Sequence, residues 1–140
     1  MSTKTLVLDA NILIRAMLGT RVRNLLIGNA DAIKFFAPDS AYTEARKYLP
    51  ALLQKRGVAM EPAMAVLDLL VSIVEPMELE LYEGHKDAAL KRIAVRDAND
   101  WPVLACAMAL GCAVWTEDAD FFGAGVATWT TDRVELYFAN

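Results

Sequence analysis

Short apolar runs rich in β-forming residues alternate with longer helical segments along this chain. The pattern predicts strands at residues 5–8, 32–37, 72–74, 113–116 and 126–130. It predicts helices at residues 11–18, 21–27, 41–55, 61–70, 79–95 and 101–110. The last helix is apolar all round, which indicates a central, buried position. Strands separated by helices form a parallel sheet covered on both faces, so the sequence predicts a three-layer α/β/α sandwich on a mainly parallel sheet.

Composition and charge limit what such a chain can do. Residues 1–140 are expected to form a single domain, because no linker, repeat or low-complexity segment interrupts them. The apolar fraction of 56% is high for a small monomer, so we expect a homodimer joined through an apolar helix surface. The candidate stripe consists of Met60, Met64, Leu67 and Val71. Alternatively, this stripe packs on the sheet of its own chain.

Several classes of protein are excluded. A net charge of −4 speaks against a protein that coats nucleic acid. No stretch is long and apolar enough to span a membrane and the N-terminus does not resemble a signal peptide, so we expect a cytoplasmic protein. Cys106 and Cys112 are then expected to be buried thiols. The only histidine, His85, is expected at the surface, which speaks against a histidine-based triad.

Four acidic residues stand at the ends of apolar elements. Asp9 ends the first predicted strand and Asp118 follows the fourth, and parallel sheets bind ligands at the carboxyl ends of their strands. Asp100 precedes the central helix, and Glu44 lies beside the apolar stripe of the third helix. That stripe is predicted to consist of Ala41, Ala45, Tyr48, Leu49 and Leu52. Because converging carboxylates repel one another unless they are protonated or bridged by cations, we expect a Mg²⁺ or Mn²⁺ site.

Two of these acids have simple structural alternatives. Asp9 can be the N-cap of the next helix, although Asn11 can fill that role instead. Glu44 can form an ion pair, because a carboxylate beside the core needs a partner. Its candidate partners are Arg15, Arg46 and Lys47.

The other acids have neighbours that compete for the same roles. Asp97, Asn99 and Asp100 all precede one helix, which is more than capping requires, so at least one of them is expected to serve another purpose. Asp118 and Asp120 share a face and can reach one metal if the backbone stays extended. If the backbone turns, only one of the two reaches the metal.

Together, these residues resemble the PIN-domain ribonucleases, including the VapC-like toxins of bacterial toxin–antitoxin pairs. The matching stretches are LDANIL at residues 8–13, TE at residues 43–44, DWPVLACA at residues 100–107 with Gly111, and TEDADFF at residues 116–122. They occur in the family's order and span most of the chain. The family fold is an α/β/α sandwich on a parallel sheet, in agreement with the pattern above.

The resemblance implies metal-dependent hydrolysis of RNA phosphodiesters. It places the family's four acids, in order, at Asp9, Glu44, Asp100 and Asp118, with Asp120 as an assisting acid. Asp9 and Asp118 would bind Mg²⁺ or Mn²⁺ directly, while Glu44 and Asp100 complete the site or orient its waters. Further contacts are expected from Thr116 or Asn11 to the metal ligands, and from Arg15, Arg21 and Arg23 to the RNA backbone.

The alternatives concern activity and partner. Toxins of this kind pair with a small antitoxin protein, but residues 127–133 carry no signature of a target RNA. The resemblance therefore favours a nuclease more strongly than a toxin. A catalytically silent PIN-like module that binds RNA or protein is one alternative. An acidic-cluster phosphatase is another, although its usual second aspartate, two residues after the first, is absent at Asn11.

Overall fold

The computed structural model describes residues 4–139, which contain a five-stranded sheet. Its strands are β1 (Lys4–Leu8), β2 (Ile33–Pro38), β3 (Val74–Met77), β4 (Ala113–Trp115) and β5 (Thr128–Trp129). They lie in the order β3-β2-β1-β4-β5, and every neighbouring pair is parallel. This order puts β1 at the centre, so the predicted parallel sheet is confirmed.

Helices cover both faces of the sheet. They are α1 (Ala10–Leu18), α2 (Arg21–Asn29), α3 (Asp39–Arg56), α4 (Met60–Ile73), α5 (Leu79–Tyr82), α6 (Lys86–Asp97), α7 (Trp101–Leu110) and α8 (Val134–Ala139). Leu6 and Leu8 of β1 pack in one core with α1 to α4 and α8. Val7 points to the opposite face and packs in a second core with α5, α6 and the fully buried middle of α7. The three-layer α/β/α architecture is therefore confirmed.

The third strand differs from its prediction at residues 72–74. Helix α4 continues to Ile73, and β3 runs from Val74 to Met77, through Pro76. The predicted strand stops before Pro76, because proline lacks the backbone N–H that a central strand needs. Because β3 pairs only with β2, one of its edges is free of ladder hydrogen bonds, and an edge strand accommodates proline.

The predicted single helix at residues 79–95 is also interrupted. The chain forms α5, then a 3₁₀ turn at Glu83–His85, then α6. Gly84 lies in the turn, and glycine is a weak helix former. At the other end, the strand predicted at residues 126–130 is reduced to the two residues of β5, and the last helix, α8, was not predicted.

The stripe predicted to join two subunits is divided in the structure. Leu67 is fully buried in its own chain and Met64 packs against the same core. Met60 and Val71 are 49% and 37% exposed. The alternative of packing within the chain is thus correct for two of the four residues, and the homodimer stays a prediction.

Three remaining expectations concern the cysteines, the histidine and the membrane. Cys106 is buried and Cys112 half-buried, and neither forms a disulfide within residues 4–139. His85 is half-buried rather than fully at the surface. No helix in the described part of the chain combines the length and hydropathy needed to cross a bilayer.

Candidate metal centre

Asp9 lies at the carboxyl end of the central strand. Its side chain is 7% exposed. Oδ1 accepts a hydrogen bond from the backbone N–H of Ile12 at 3.0 Å, so Asp9 is the N-cap of α1 and Asn11 is not. Oδ2 accepts a hydrogen bond from the hydroxyl of Thr116. The capping alternative is therefore correct, and it leaves the second carboxylate oxygen directed at the end of β4.

The end of β4 forms a short chain of hydrogen bonds. Leu8 pairs with Trp115, which places Asp9 beside Thr116. The hydroxyl oxygen of Thr116 also accepts from the backbone N–H of Asp118 at 2.9 Å, and Asp118 Oδ1 accepts from the N–H of Asp120 at 2.9 Å. One buried threonine thus fixes the positions of two acids from different strands.

The backbone turns after β4 instead of staying extended. Asp118 caps a 3₁₀ turn at Ala119–Phe121, so Asp118 and Asp120 do not share a strand face. Glu117 points away from both, because its Oε1 accepts from the N–H of Thr131 at 2.7 Å. Of the two strand-end aspartates, Asp118 faces the pocket described below.

Helix α3 presents Glu44 from the other side. The buried residues of α3 are Ala41, Tyr42, Ala45, Leu49 and Leu53. The predicted stripe is wrong at Tyr48, which is 49% exposed, whereas Leu52 is half-buried and packs against the core. Glu44 is exposed, and the single salt bridge within residues 4–139 joins two other residues. Its ion-pair alternative is therefore not realised there.

Asp100 is held at the start of α7 without a capping role. Asp97 accepts a hydrogen bond from the N–H of Asn99 at 3.0 Å and so caps the 3₁₀ turn at Ala98–Asp100. The side chain of Asp100 makes no capping hydrogen bond. Its Oδ2 is buried and has no hydrogen-bond partner among the described residues. A buried carboxylate oxygen without a partner is costly, which indicates a ligand.

The structure brings Asp9, Glu44, Asp100 and Asp118 to one pocket of about 470 Å³. Asp120 stands apart from it. Its carboxylate lies with those of Asp97 and Asp100, where one oxygen of each is within 4.8 Å of the others. Of Asp97, Asn99 and Asp100, at least one was predicted to do more than cap; Asp97 both caps the 3₁₀ turn and belongs to this group. Its spacing of three residues from Asp100 is the signal for this grouping, because residues i and i+3 of a 3₁₀ turn share a face.

Burial and mutual repulsion raise the pKa of two of these acids. Burial is the main cause that raises the pKa of Asp9 to about 6; the hydrogen bonds from Thr116 and Ile12 oppose it, and the charges of Asp118 and Glu44 add to it. Burial, followed by the charges of Asp118 and Asp97, raises the pKa of Asp100 to about 7. A site that disfavours its own negative charge to this extent attracts a cation.

The donor set fits a hard divalent cation. All four acidic residues offer oxygen, and no histidine or cysteine is among the residues that line the pocket. Oxygen donors suit Mg²⁺ and Mn²⁺, whereas zinc prefers nitrogen and sulfur. The partnerless oxygen of Asp100 supplies an available ligand.

Two of the three arginines predicted to contact RNA are engaged elsewhere. Arg21 lies 2.9 Å from the carboxylate of Asp132. Arg23 donates to the carbonyls of Ala16 and Gly19 at 3.0 and 2.9 Å. Arg15 is exposed and lines, with Arg56, a pocket of about 590 Å³ beyond the acids. Arg56 was not predicted, because it is brought near Arg15 only by the packing of α1 against α3.

A family model described as the PIN domain matches residues 7–139. The chain belongs to the PIN domain family. The match spans both strands and both helix segments that supply acids to the pocket. No protein with a curated description matches the sequence. The predicted resemblance to the PIN-domain ribonucleases is confirmed.

Solved structures similar to this PIN domain have the same fold. One is a chain from the structure of VapBC2 from Rickettsia felis bound to a promoter DNA fragment. It is 17% identical with a TM-score of 0.62, over 90% of this chain and 98% of that chain. A chain of FitAcB from Neisseria gonorrhoeae is 18% identical with a TM-score of 0.63, over 90% and 97%. A chain of VapBC-1 from nontypeable Haemophilus influenzae is 17% identical with a TM-score of 0.55, over 92% and 99%. At these identities the likeness establishes the fold.

Proposed function

We propose that this PIN domain is a metal-dependent endoribonuclease that hydrolyses RNA phosphodiesters. The observation that supports this is the convergence of Asp9, Glu44, Asp100 and Asp118 on one pocket, with an oxygen of Asp100 buried and without a partner. Mg²⁺ or Mn²⁺ bound there would lower the pKa of a water and stabilise negative charge on the phosphate.

The chain's own residues have distinct tasks in this proposal. Asp9 and Asp118 bind the metal directly, and Thr116 keeps both in place through its two hydrogen bonds. Glu44 and Asp100 complete the site from the α3 and α7 sides. Asp120 assists from the neighbouring cluster, where it adds negative charge beside Asp100.

The proposal extends to partners. VapBC2, VapBC-1 and FitAcB are among the solved structures with this fold, and we infer that the chain is the toxin of a toxin–antitoxin pair, with a small antitoxin protein as partner. The protein acts as a cytoplasmic homodimer. Co-expression with the product of an adjacent small reading frame tests this part: an antitoxin restores growth that the nuclease alone arrests.

Cleavage of a fluorogenic single-stranded RNA tests the activity. Wild type is expected to cut with Mg²⁺ or Mn²⁺ and to stop in excess chelator. Asp9→Asn and Asp118→Asn should each abolish metal-dependent cleavage, because each removes a negative charge at the metal. Asp68→Asn is the matched control, since Asp68 is exposed on α4, outside the pocket.

Thermal unfolding supplies a readout that does not depend on turnover. A metal that binds only the native state stabilises it by about 2.7 kcal/mol at 100 times its dissociation constant. Mn²⁺ should therefore raise the Tm of wild type and of Asp68→Asn, but not that of Asp9→Asn. An equal rise in the Tm of Asp9→Asn would contradict the proposed set of metal ligands. A rise in wild type without any cleavage would identify a silent binding module.

A further inference from the structure

A second pocket opens beside the acidic one. It has a volume of about 570 Å³ and lies between α3, α5 and the start of α7. The residues that matter for its chemistry are Thr43, Lys47, Tyr48, Trp101 and Pro102. Glu44 and Tyr48 line both pockets, so the two pockets adjoin. We call this second space the aromatic pocket.

Two aromatic rings define the aromatic pocket. Trp101 follows Asp100 directly and is half-buried. Tyr48 is one helical turn after Glu44 on α3 and is 49% exposed. Each ring thus belongs to a residue placed next to, or one turn from, an acid of the proposed metal centre.

The ring of Trp101 is held in position from inside the fold. Tyr82 is 1% exposed, and its ring centroid lies 5.6 Å from that of Trp101 at an interplanar angle of 49°. The hydroxyl of Tyr82 donates to Asp39 at 2.6 Å, which fixes Tyr82 in turn. A ring held in this way is pre-organised, so a flat ligand can stack on it at a low entropic cost.

Positive charge accompanies both rings. The ammonium of Lys86 is 5.0 Å from the centroid of Trp101, and that of Lys47 is 5.4 Å from the centroid of Tyr48. These two lysines stand beside an otherwise acidic site in a chain of net charge −4. Aromatic rings with adjacent cations are the combination with which proteins hold single-stranded nucleic acid.

We propose that the aromatic pocket binds one nucleobase of the RNA, next to the phosphodiester that the acids hold, with Trp101 and Tyr48 as the stacking residues. This inference rests on the proposed function. A strand whose scissile phosphate lies at Asp100 passes Trp101 at the adjoining nucleotide. Lys47 and Thr43 line the same pocket. The ammonium groups of Lys47 and Lys86 lie over the two rings, and a stacking base displaces them towards its flanking phosphates.

The lining argues against a subunit interface at this place. Half of the ten lining residues are charged or carry an aliphatic hydroxyl: Asp39, Ser40, Thr43, Glu44 and Lys47. The buried centres of interfaces between identical subunits are depleted in charged residues. An RNA base can stack on the rings while its phosphates pair with the ammonium groups, whereas a second copy of this acidic chain would not offer both interactions.

Binding is measured in Mn²⁺, because the acids hold a phosphate only through a cation, and every protein carries Asp118→Asn so that the RNA is not cut. The probe is a short fluorescein-labelled single-stranded RNA, together with versions that each lack one base. Trp101→Leu should weaken binding of the intact RNA roughly tenfold, and Trp101→Phe should restore most of it. Trp129→Leu is the matched control, because Trp129 is a half-buried tryptophan on β5 at the edge of the sheet.

The abasic series separates stacking from a structural effect. When Trp101 is present, removal of the base at one position of the RNA should weaken binding. With the RNA that lacks this base, Trp101→Leu should weaken binding no further. An effect of Trp101→Leu that is equal at every abasic position would overturn the base site. So would a change of molecular mass by light scattering on Trp101→Leu, which would assign the pocket to contact between copies.

Two further outcomes distinguish this inference from the proposed function. If the wild-type chain does not cut RNA with Mn²⁺ and the Asp118→Asn protein does not bind it, the nuclease proposal fails and takes the base site with it. If wild type cuts RNA while Trp101→Leu binds and cuts as well as wild type, only the base site fails. Circular dichroism melting of each variant ensures that all measurements are made on folded protein.

Discussion

At the scale of single residues, Thr116 connects the two strands that supply the site. Its hydroxyl donates to Asp9 and accepts from the N–H of Asp118. Thr116→Val removes the hydrogen-bond partner of the buried Asp9 carboxylate and of the half-buried N–H of Asp118, so we expect a loss of about 1–3 kcal/mol in the free energy of unfolding. Cleavage should fall roughly 10–100-fold, as is typical when a group that orients a metal ligand is removed.

Thr116→Ser is the control for that prediction, because it keeps the hydroxyl. Urea unfolding in chelator and RNA cleavage in Mn²⁺ measure the two effects separately. Equal activity of the valine and serine variants would show that the hydroxyl does not position the acids.

The raised pKa of Asp9 predicts a pH dependence of stability. The folded-state pKa is about 6, above an unfolded value of about 3.9. Between these two values the folded chain binds more protons than the unfolded chain, so stability falls as pH rises. The shift of about two units corresponds to about 3 kcal/mol. Asp100, with a pKa raised to about 7, extends the decline towards neutral pH.

Urea unfolding in chelator from pH 4 to pH 8 tests this. Asp9→Asn keeps a good N-cap but does not titrate, so its stability relative to wild type should rise between about pH 4 and pH 6 and then level off. Parallel stability curves for the two proteins would contradict the assigned pKa.

The predictions about single residues that differ from the structure have a common cause. The acids were found because strand ends can be read from local apolar runs. The grouping of Asp97 with Asp120 was not predicted, and Tyr48 was misplaced, because each depends on a rotation about a helix or turn axis that only the packing of neighbouring elements sets. A helical stripe read from sequence alone tolerates such a rotation, and here it moved Tyr48 from the predicted core to the wall of two pockets.

At the scale of elements, the alternation of strands and helices was sufficient for the architecture but not for every boundary. Residues 79–95 have a helical composition throughout, and the break at Glu83–His85 follows from Gly84 together with the docking of Tyr82 into the core. Pro76 was treated as a strand terminator because the edge position of β3 depends on the order of strands, which local sequence does not specify.

Two glycines offer a matched test of element boundaries. An added Cβ meets nothing within 4 Å at either Gly84 or Gly111, but Gly111 has φ +64° at the end of α7. Gly84→Ala should therefore raise the free energy of unfolding by about 0.4–1 kcal/mol, because it restricts the unfolded chain. Gly111→Ala should lower it by about 1–2 kcal/mol, because an L-residue is strained in the left-handed region.

Chemical denaturation of both variants, compared with wild type in the same buffer, gives the two signs directly. Equal destabilisation by Gly84→Ala and Gly111→Ala would contradict this prediction. It would mean that the turn between α5 and α6 requires glycine although a Cβ at position 84 meets no other atom.

At the scale of the whole molecule, the predicted homodimer depends on apolar surface that α4 leaves exposed. Met60 and Val71 of the predicted stripe are 49% and 37% exposed. Light scattering at low micromolar concentration should give about twice the 15.4 kDa of one chain. Val71→Glu should reduce the mass to that of one chain, because an interface core excludes charge. A wild-type mass near one chain would refute the dimer.

The hydrogen bond between Asp9 and Thr116 joins positions 107 residues apart. The chain therefore has no assembled catalytic centre while its first three quarters are being translated, since β4 must emerge and pair with β1 before the acids meet. A nuclease built in this way is inactive during its own synthesis. Under the proposed function, RNA near the ribosome is exposed to cleavage only after the segment through Asp118 has been made and folded.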